Sequence, residues 1–221
     1  MEVDAQHRRL VAVYLPKHFE QNDAAVLAAA MHAHPLATLI VTTGEGPTAD
    51  LIPLEFHPEI GAHGTLRGHV ARANPLWRAG GGTALAVFQG PQAYVSPNWY
   101  PSKREHGKVV PTWNYTMVQA RGTLRAIEDA PWVHALVTQL TERHESTQTA
   151  PWAVSDAPDD YVQQMLRAIV GIEITLTSLI GKWKVSQNRG PADRLGVAVG
   201  LAGGADEDAV AMAALVRGPS A

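Results

Sequence analysis

Apolar residues recur at three- and four-residue spacing after Asn22 and Asp23, with Val26, Leu27, Ala30 and Met31 on one side, and Pro35 stops the run. That pattern predicts a capped helix ending near residue 33. Residues 35–43, rich in Thr, Ile and Val, then read as a strand, Gly44 to Pro47 as a turn, and 49–56 as the returning strand. A further strand is expected over 64–70 and a short helix over 73–79. Two strands, 83–89 and 92–96, are expected to join at Gly90-Pro91, and residues 97–111 to form a loop. Residues 112–127 alternate in places and predict one long strand carrying a bulge. Asp129 caps a predicted helix through 145, with Val133, Leu136, Val137 and Leu140 on one face. Another helix opens at Pro158 or Asp159, with Tyr161, Met165, Leu166 and Ile169 inward. Strands at 171–177 and 182–186 follow, and Ala-rich helices near 191–201 and 207–216 close the chain.

Strands clustered with short turns argue against alternating βαβ units. They predict an α+β, mainly β protein: a closed or split antiparallel barrel flanked by helices, with a helical C-terminal segment. No repeat or low-complexity linker breaks the 221 residues, so a single domain is expected, core about 14–186 and helices about 191–217.

Hydrophobic residues make up 46% of the chain, enough for a sizeable core. The net charge of −3 and the lack of a dense basic run are unpromising for a protein that grips DNA through many phosphates. With no cysteine, disulfides, thiolate nucleophiles and Cys-based metal sites are excluded. The N-terminal stretch lacks a long apolar run and no segment approaches a membrane span, which predicts a cytoplasmic protein with no membrane partner.

Candidate chemistry sits in three donor-rich segments. His69, Arg72 and Asn74 leave a strand and enter a short helix, an arrangement that suits an anion such as phosphate; alternatively Arg72 is a solvated surface residue and Asn74 only a cap. Trp113 and Tyr115 share one face of the long strand and Asn114 takes the other; the Asn side chain offers both a donor and an acceptor, as the edge of a flat heteroaromatic ring requires, and two core aromatics beside an edge Asn are the plainer reading. Lys184, Ser186, Gln187, Asn188 and Arg189 crowd together before the helix at Pro191, which could equally be a solvated connection. Six of the fourteen aromatic residues, Trp99 and Tyr100 among them, fall between Phe88 and Tyr115, as a pocket for a flat ligand requires. The histidines show no HExxH spacing, and no GxSxG, P-loop or GxGxxG segment is present.

These segments resemble one family. Tyr14-Leu-Pro-Lys-His-Phe19, Gly68-His-Val-Ala-Arg-Ala-Asn-Pro75, Phe88-Gln-Gly-Pro91, Tyr94-Val-Ser-Pro-Asn-Trp-Tyr100, Val110-Pro-Thr-Trp-Asn-Tyr115 and Lys184-Val-Ser-Gln-Asn-Arg189, in this order, are similar to the PaiB-type FMN-binding negative transcriptional regulators, from Tyr14 to about Leu201. The resemblance implies an FMN-binding split barrel, like that of pyridoxamine phosphate oxidase, working as a homodimer with FMN at the subunit interface. It implies His69, Arg72 and Asn74 at the phosphate, Asn114 with Trp113 and Tyr115 at the ring or ribityl chain, Lys184, Ser186, Gln187 and Asn188 completing the site, and Trp99 and Tyr100 walling a pocket for an unidentified small molecule. One position departs: Leu51 stands where the family usually carries His.

The family's regulatory role need not mean direct DNA contact. The second of the closing helices begins Asp206-Glu-Asp208, and carboxylates there would repel a phosphate backbone while favouring the helix's own dipole. Indirect regulation through flavin or small-ligand sensing is therefore expected, with a flavin-dependent oxidoreductase acting on a small molecule as the alternative.

Overall fold

The computed structural model describes residues 13–218; the N-terminal stretch assessed above for a leader lies largely outside them. Eight strands form one sheet: β1 (Glu20–Gln21), β2 (Leu36–Thr43), β3 (Gly46–Pro53), β4 (Glu55–His57), β5 (Thr65–Ala71), β6 (Thr83–Val95), β7 (Thr112–Ile127) and β8 (Ile169–Lys184). Among the described residues six α-helices accompany them: α1 (Ala24–Ala33), α2 (Ser102–His106), α3 (Ala130–Glu145), α4 (Asp159–Arg167), α5 (Pro191–Ala202) and α6 (Glu207–Arg217). The chain groups into two compact units. Unit 2 holds Ala24–Phe88 and Val118–Leu179; unit 1 holds, of the described residues, those up to Asp23, Gln89–Met117 and those from Ile180 on.

Unit 2 is the barrel. The strand order is β3-β2-β6-β7-β8-β5-β4, and the two outermost strands of that path are separated in the chain by Leu54 alone. A sheet whose first and last strands are joined by one residue has to curl back on itself. Pairing of β2 with β3 and β6, and of β5 with β4 and β8, is antiparallel. Leu39, Val41, Leu66, Val70, Ala84, Ala86, Phe88, Leu124, Ile172 and Ile174 are buried in this unit. Gly68 is required on β5: a Cβ there would lie 2.7 Å from the Pro53 carbonyl oxygen and 2.8 Å from Leu54 Cδ2. The helix after β7 starts as its sequence predicts, with Asp129 Oδ1 accepting from the Trp132 N–H at 2.8 Å.

Unit 1 is built on the α5–α6 hairpin. Val197, Ala198 and Leu201 of α5 and Met212, Ala213 and Val216 of α6 bury their side chains with Ala93, Val95, Tyr100 and Val185. β1 pairs with β8 here, Glu20 opposite Lys182.

Four expectations change. The pieces on either side of Gly90-Pro91 form one strand, β6, but its buried face moves from Ala84, Ala86 and Phe88 to Ala93 and Val95, a change of parity across 89–92. The two strands expected in 171–186 are likewise one, β8. The segment 97–111 contains a 3-10 turn, Pro97–Trp99, capped by Ser96, and helix α2, which ends at Gly107 with φ 67°. The buried positions of β7 keep even parity from Asn114 to Leu124, without the predicted bulge. Among the described residues no helix is long and apolar enough to cross a membrane.

Candidate functional site

In unit 1 two of the three donor-rich segments, 113–115 and 184–189, lie together. β7 buries Asn114 at 1% exposure and turns Trp113 outward. Asn114 Nδ2 donates to Ser186 Oγ at 2.9 Å, which ties the start of β7 to the residue two places beyond β8. Ser186 is buried and holds φ 63°, the one non-glycine residue in the left-handed region among those described. The turn that carries it is fixed by Gln187: the Val185 N–H donates to Gln187 Oε1 at 2.7 Å, and Gln187 Nε2 donates to the Trp183 carbonyl at 2.5 Å. The Arg189 N–H donates to the Ser186 carbonyl at 3.0 Å. Asn188 is exposed beside them.

Lys182 and Lys184 are two apart on β8. Lys184 Nζ donates to Thr112 Oγ1 and to the Trp113 carbonyl. Lys182 is 7% exposed, donates to the Tyr14 carbonyl at 2.8 Å, and stands 5.5 Å from the ring centroids of both Tyr14 and Tyr115. Burial pushes the Lys184 pKa below the ordinary lysine value, and the positive charges of Lys182 and Arg189 push it the same way. The bonded partners of the two lysines are thus a hydroxyl and carbonyls, together with aromatic rings. This is the charge pattern of a place that gains by receiving an anion.

A cleft of about 310 Å³ opens alongside, lined by Gln89, Gly90, Gln92, Trp113, Tyr115, Thr116 and Met117. It lies at the lower end of ligand-pocket volumes, about 300–1,000 Å³. Trp113 packs edge-on against Tyr94 at a centroid distance of 6.2 Å. Trp113 and Tyr115 line one cleft, as their shared strand face predicts, and the glutamines add amide donors and acceptors. Gln89, Gly90, Gln92 and Lys182 were absent from the sequence-derived site. Gln89 and Gln92 read as the facing ends of two strands, Gly90 as part of the turn between them, and Lys182 as the first residue of a short strand.

Trp99 and Tyr100 belong to the packing of the α5–α6 hairpin. Tyr100 is 2% exposed, with the Arg189 guanidinium 4.9 Å above its ring. Trp99 lies against α5, where a Cβ at Gly200 would come within 2.3 Å of its ring. Ser102, which the sequence did not single out, anchors α2 to α5: its N–H and hydroxyl both donate to Asp193, at 3.1 and 2.8 Å.

His69, Arg72 and Asn74 lie in unit 2, and their bonds go to different partners. Arg72 donates to the carbonyls of Arg167 at 2.9 Å and Ile169 at 3.2 Å and pairs with Glu128 at 2.5 Å. Asn74 Oδ1 accepts from the Leu76 N–H at 2.9 Å and caps the 3-10 turn Pro75–Ala79, while its Nδ2 donates to Asp50 at 3.2 Å. His69 lines an apolar cavity; its Nδ1 is buried without a hydrogen-bond partner, and burial lowers its pKa. Leu51 is 64% exposed on β3.

Residues 13–178 match the family described as "Putative FMN-binding domain". The chain is 31% identical over 207 residues to Protease synthase and sporulation protein PAI 2 of Bacillus subtilis (strain 168), covering 93% of this chain and 97% of that one. It is 38% identical over 168 residues to an uncharacterized protein of Emericella nidulans, 63% of this chain and 67% of that one. Among solved structures, the FAD and heme binding protein from Mycobacterium smegmatis superposes with TM-score 0.55 at 18% identity, over 75% of this chain and 73% of that one. The flavocytochrome Anf3 from Azotobacter vinelandii gives 0.53 at 14% identity, over 78% and 71%. These two likenesses are of fold, the split barrel. The match over 13–178 and the bacterial relative of near-equal length together show that the chain belongs to the PaiB-type FMN-binding domain family, whose cofactor is FMN.

Proposed function

We propose that this chain binds FMN in unit 1 and acts as a flavin-dependent sensor in negative regulation, without reading DNA itself. The observation that carries this is the cationic group Lys182, Lys184 and Arg189, with a lysine whose charge is disfavoured by burial and by its neighbours. A phosphate placed there relieves that repulsion, and Lys184 is our assignment for its main ligand. Asn114 and Ser186 fix the strand ends that present the lysines. Trp113 and Tyr115 supply faces for the isoalloxazine, and Gln89 and Gln92 supply amides for its polar edge. Arg72 and Asn74, with their bonds committed inside unit 2, serve the barrel's own structure. FMN, when bound, supplies redox chemistry by one or two electrons. The chain's residues orient it and keep water from its faces.

Trp113 and Tyr94 are about half exposed and Val110 is 64% exposed, an apolar rim that a second copy would cover. That rim supports a homodimer. Asp206 caps α6 while Glu207 and Asp208 occupy its first turn, where they favour the helix dipole and would repel a DNA phosphate. This supports indirect regulation. The Bacillus subtilis relative carries a name drawn from protease synthesis and sporulation, which agrees with a regulatory role.

The test is a titration of flavin-free protein with FMN and with riboflavin, which lacks the phosphate, followed by flavin fluorescence. FMN should bind at least about tenfold more tightly, the equivalent of one charge-assisted contact of about 1.5–3 kcal/mol. Lys184→Met should remove the difference and leave riboflavin affinity unchanged. Equal affinities in the wild type would sink the anion assignment. Bleaching of the bound flavin by NAD(P)H with turnover would replace sensing by the oxidoreductase alternative.

A further inference from the structure

Unit 2 contains a second cavity that the flavin site does not use. It measures about 290 Å³ and opens between α3, the segment at 152–157 and α4, with His69 of β5 in its wall. Val137, Trp152, Tyr161, Met165 and Leu166 are among the other residues that line it, and the lining is apolar or aromatic apart from His69 and Thr141. The 3.6-residue period of α4 places Tyr161, Met165 and Leu166 inward, yet only Leu166 is buried. Trp152, Tyr161 and Met165 keep 40% or more of their surface open. The apolar side of α4 therefore borders a space rather than packed protein.

His69 gives that space its chemistry. Nδ1 is buried and has no hydrogen-bond partner, an arrangement native structures rarely leave unfilled. Burial lowers the imidazole's pKa, so the ring is held neutral, with one nitrogen donating and the other accepting. A neutral imidazole in an apolar wall discriminates against anions and favours an uncharged polar group. A hydroxyl both donates and accepts, so it suits a neutral imidazole in either tautomer.

We propose that this cavity is a binding site for a neutral aromatic molecule bearing one hydroxyl, its ring against Trp152, Tyr161 and Met165 and its hydroxyl bonded to His69. Independently of the flavin assignment, this is the effector site of a protein that senses small molecules.

The probe is 2-naphthol, with naphthalene as its hydroxyl-free counterpart, titrated calorimetrically and followed by the nitrogen shifts of 15N-labelled histidine. One saturable site is expected for 2-naphthol, about tenfold tighter than naphthalene, with His69 the histidine whose ring nitrogens move. His69→Phe keeps the volume, removes the nitrogen and should bring the two probes within about twofold. Ala157→Phe, at an extended position before Pro158, should fill the cavity and weaken 2-naphthol at least tenfold. The proposal is overturned if 2-naphthol does not saturate, if naphthalene binds equally well, or if both variants bind 2-naphthol like the wild type. It is also overturned if FMN displaces 2-naphthol, because the cavity would then be the flavin's own.

Discussion

Asn114 and Ser186, seventy-two residues apart, share a buried 2.9 Å hydrogen bond, and Ser186 adopts a left-handed backbone conformation to make it. For a residue with a Cβ that conformation costs about 1–2 kcal/mol. Ser186→Gly removes the strain but leaves the Asn114 amide without its acceptor. Ser186→Ala keeps the strain and loses the bond. The alanine variant should therefore be the less stable of the two by about 1 kcal/mol, and less stable than wild type by about 1–3 kcal/mol. Urea denaturation of the three proteins checks the order; an alanine variant as stable as the glycine variant contradicts it.

Arg72 closes the C-terminal end of α4. Its side chain reaches the carbonyls of Arg167 and Ile169 and the Glu128 carboxylate, and its backbone N–H donates to the Ala168 carbonyl at 2.8 Å. A guanidinium at a helix C-terminus satisfies orphan carbonyls and opposes the dipole's negative end. Because the side chain is 40% exposed, the expected cost of Arg72→Ala is modest, about 1–2 kcal/mol, and Arg72→Lys should recover only part of it. The FMN affinity of the folded variant should stay within about twofold of wild type. A large loss of FMN without loss of stability would return Arg72 to the phosphate.

The fold was legible where local signals and tertiary packing agree. Asp129 capping α3 and Pro35 ending α1 are local chemistry, and neither needed the rest of the chain. The continuity of β6 was hidden because Gly90-Pro91 is turn chemistry in isolation, whereas here it marks the point where the strand changes its buried face. The donor-rich segments at 113–115 and 184–188 were visible because alternation fixes which side chains share a face. Their partnership was not, since the Asn114–Ser186 bond is non-local. The period of α4 located an apolar face at Tyr161 and Met165, but periodicity cannot say whether protein or an open cavity lies against it. For Arg72 the residue type suggested an anion, and the negative groups it meets are the Glu128 carboxylate and main-chain carbonyls, non-local partners that no spacing rule reveals.

Glu173 sets an acid limit on the barrel. Burial raises its pKa, but hydrogen bonds from Arg125 and Arg67 outweigh that and hold it below the ordinary 4.5. Arg125 reaches Oε1 at 2.7 Å and Arg67 reaches Oε2 at 2.9 Å. The folded value is lower than the unfolded one, so the carboxylate's contribution is present in full above pH 4.5 and is lost as pH falls through the folded value. Melting temperature should drop on acidification below that point. Glu173→Gln should be less stable at pH 7, by about 1–3 kcal/mol, and should lose part of the acid dependence. A variant with the wild-type pH profile would show that other groups set the limit.

Gly196 is where α5 meets the main chain of Trp99. A Cβ at this position would lie 2.0 Å from the Trp99 carbonyl oxygen and 3.2 Å from Pro101 Cδ. Inside a helix, Gly→Ala normally gains about 1 kcal/mol from propensity. Here the obstacle is a backbone atom that cannot rotate away, so α5 or the segment at 97–101 has to shift, at a cost near the upper end of overpacking, about 3 kcal/mol. The clash wins, and Gly196→Ala should be destabilising by about 2 kcal/mol net. Gly203 serves as the comparison: it caps the same helix at φ −80°, and a Cβ there would meet nothing nearer than 3.7 Å. Gly203→Ala should be neutral or slightly stabilising. Since Trp99 and Tyr100 lead into α2 and Arg189 rests on Tyr100, Gly196→Ala should also weaken FMN binding, whereas Gly203→Ala should not. Denaturation midpoints paired with FMN titration of the two variants decide it, and a Gly196→Ala protein as stable as wild type would mean that the helix does not press on Trp99.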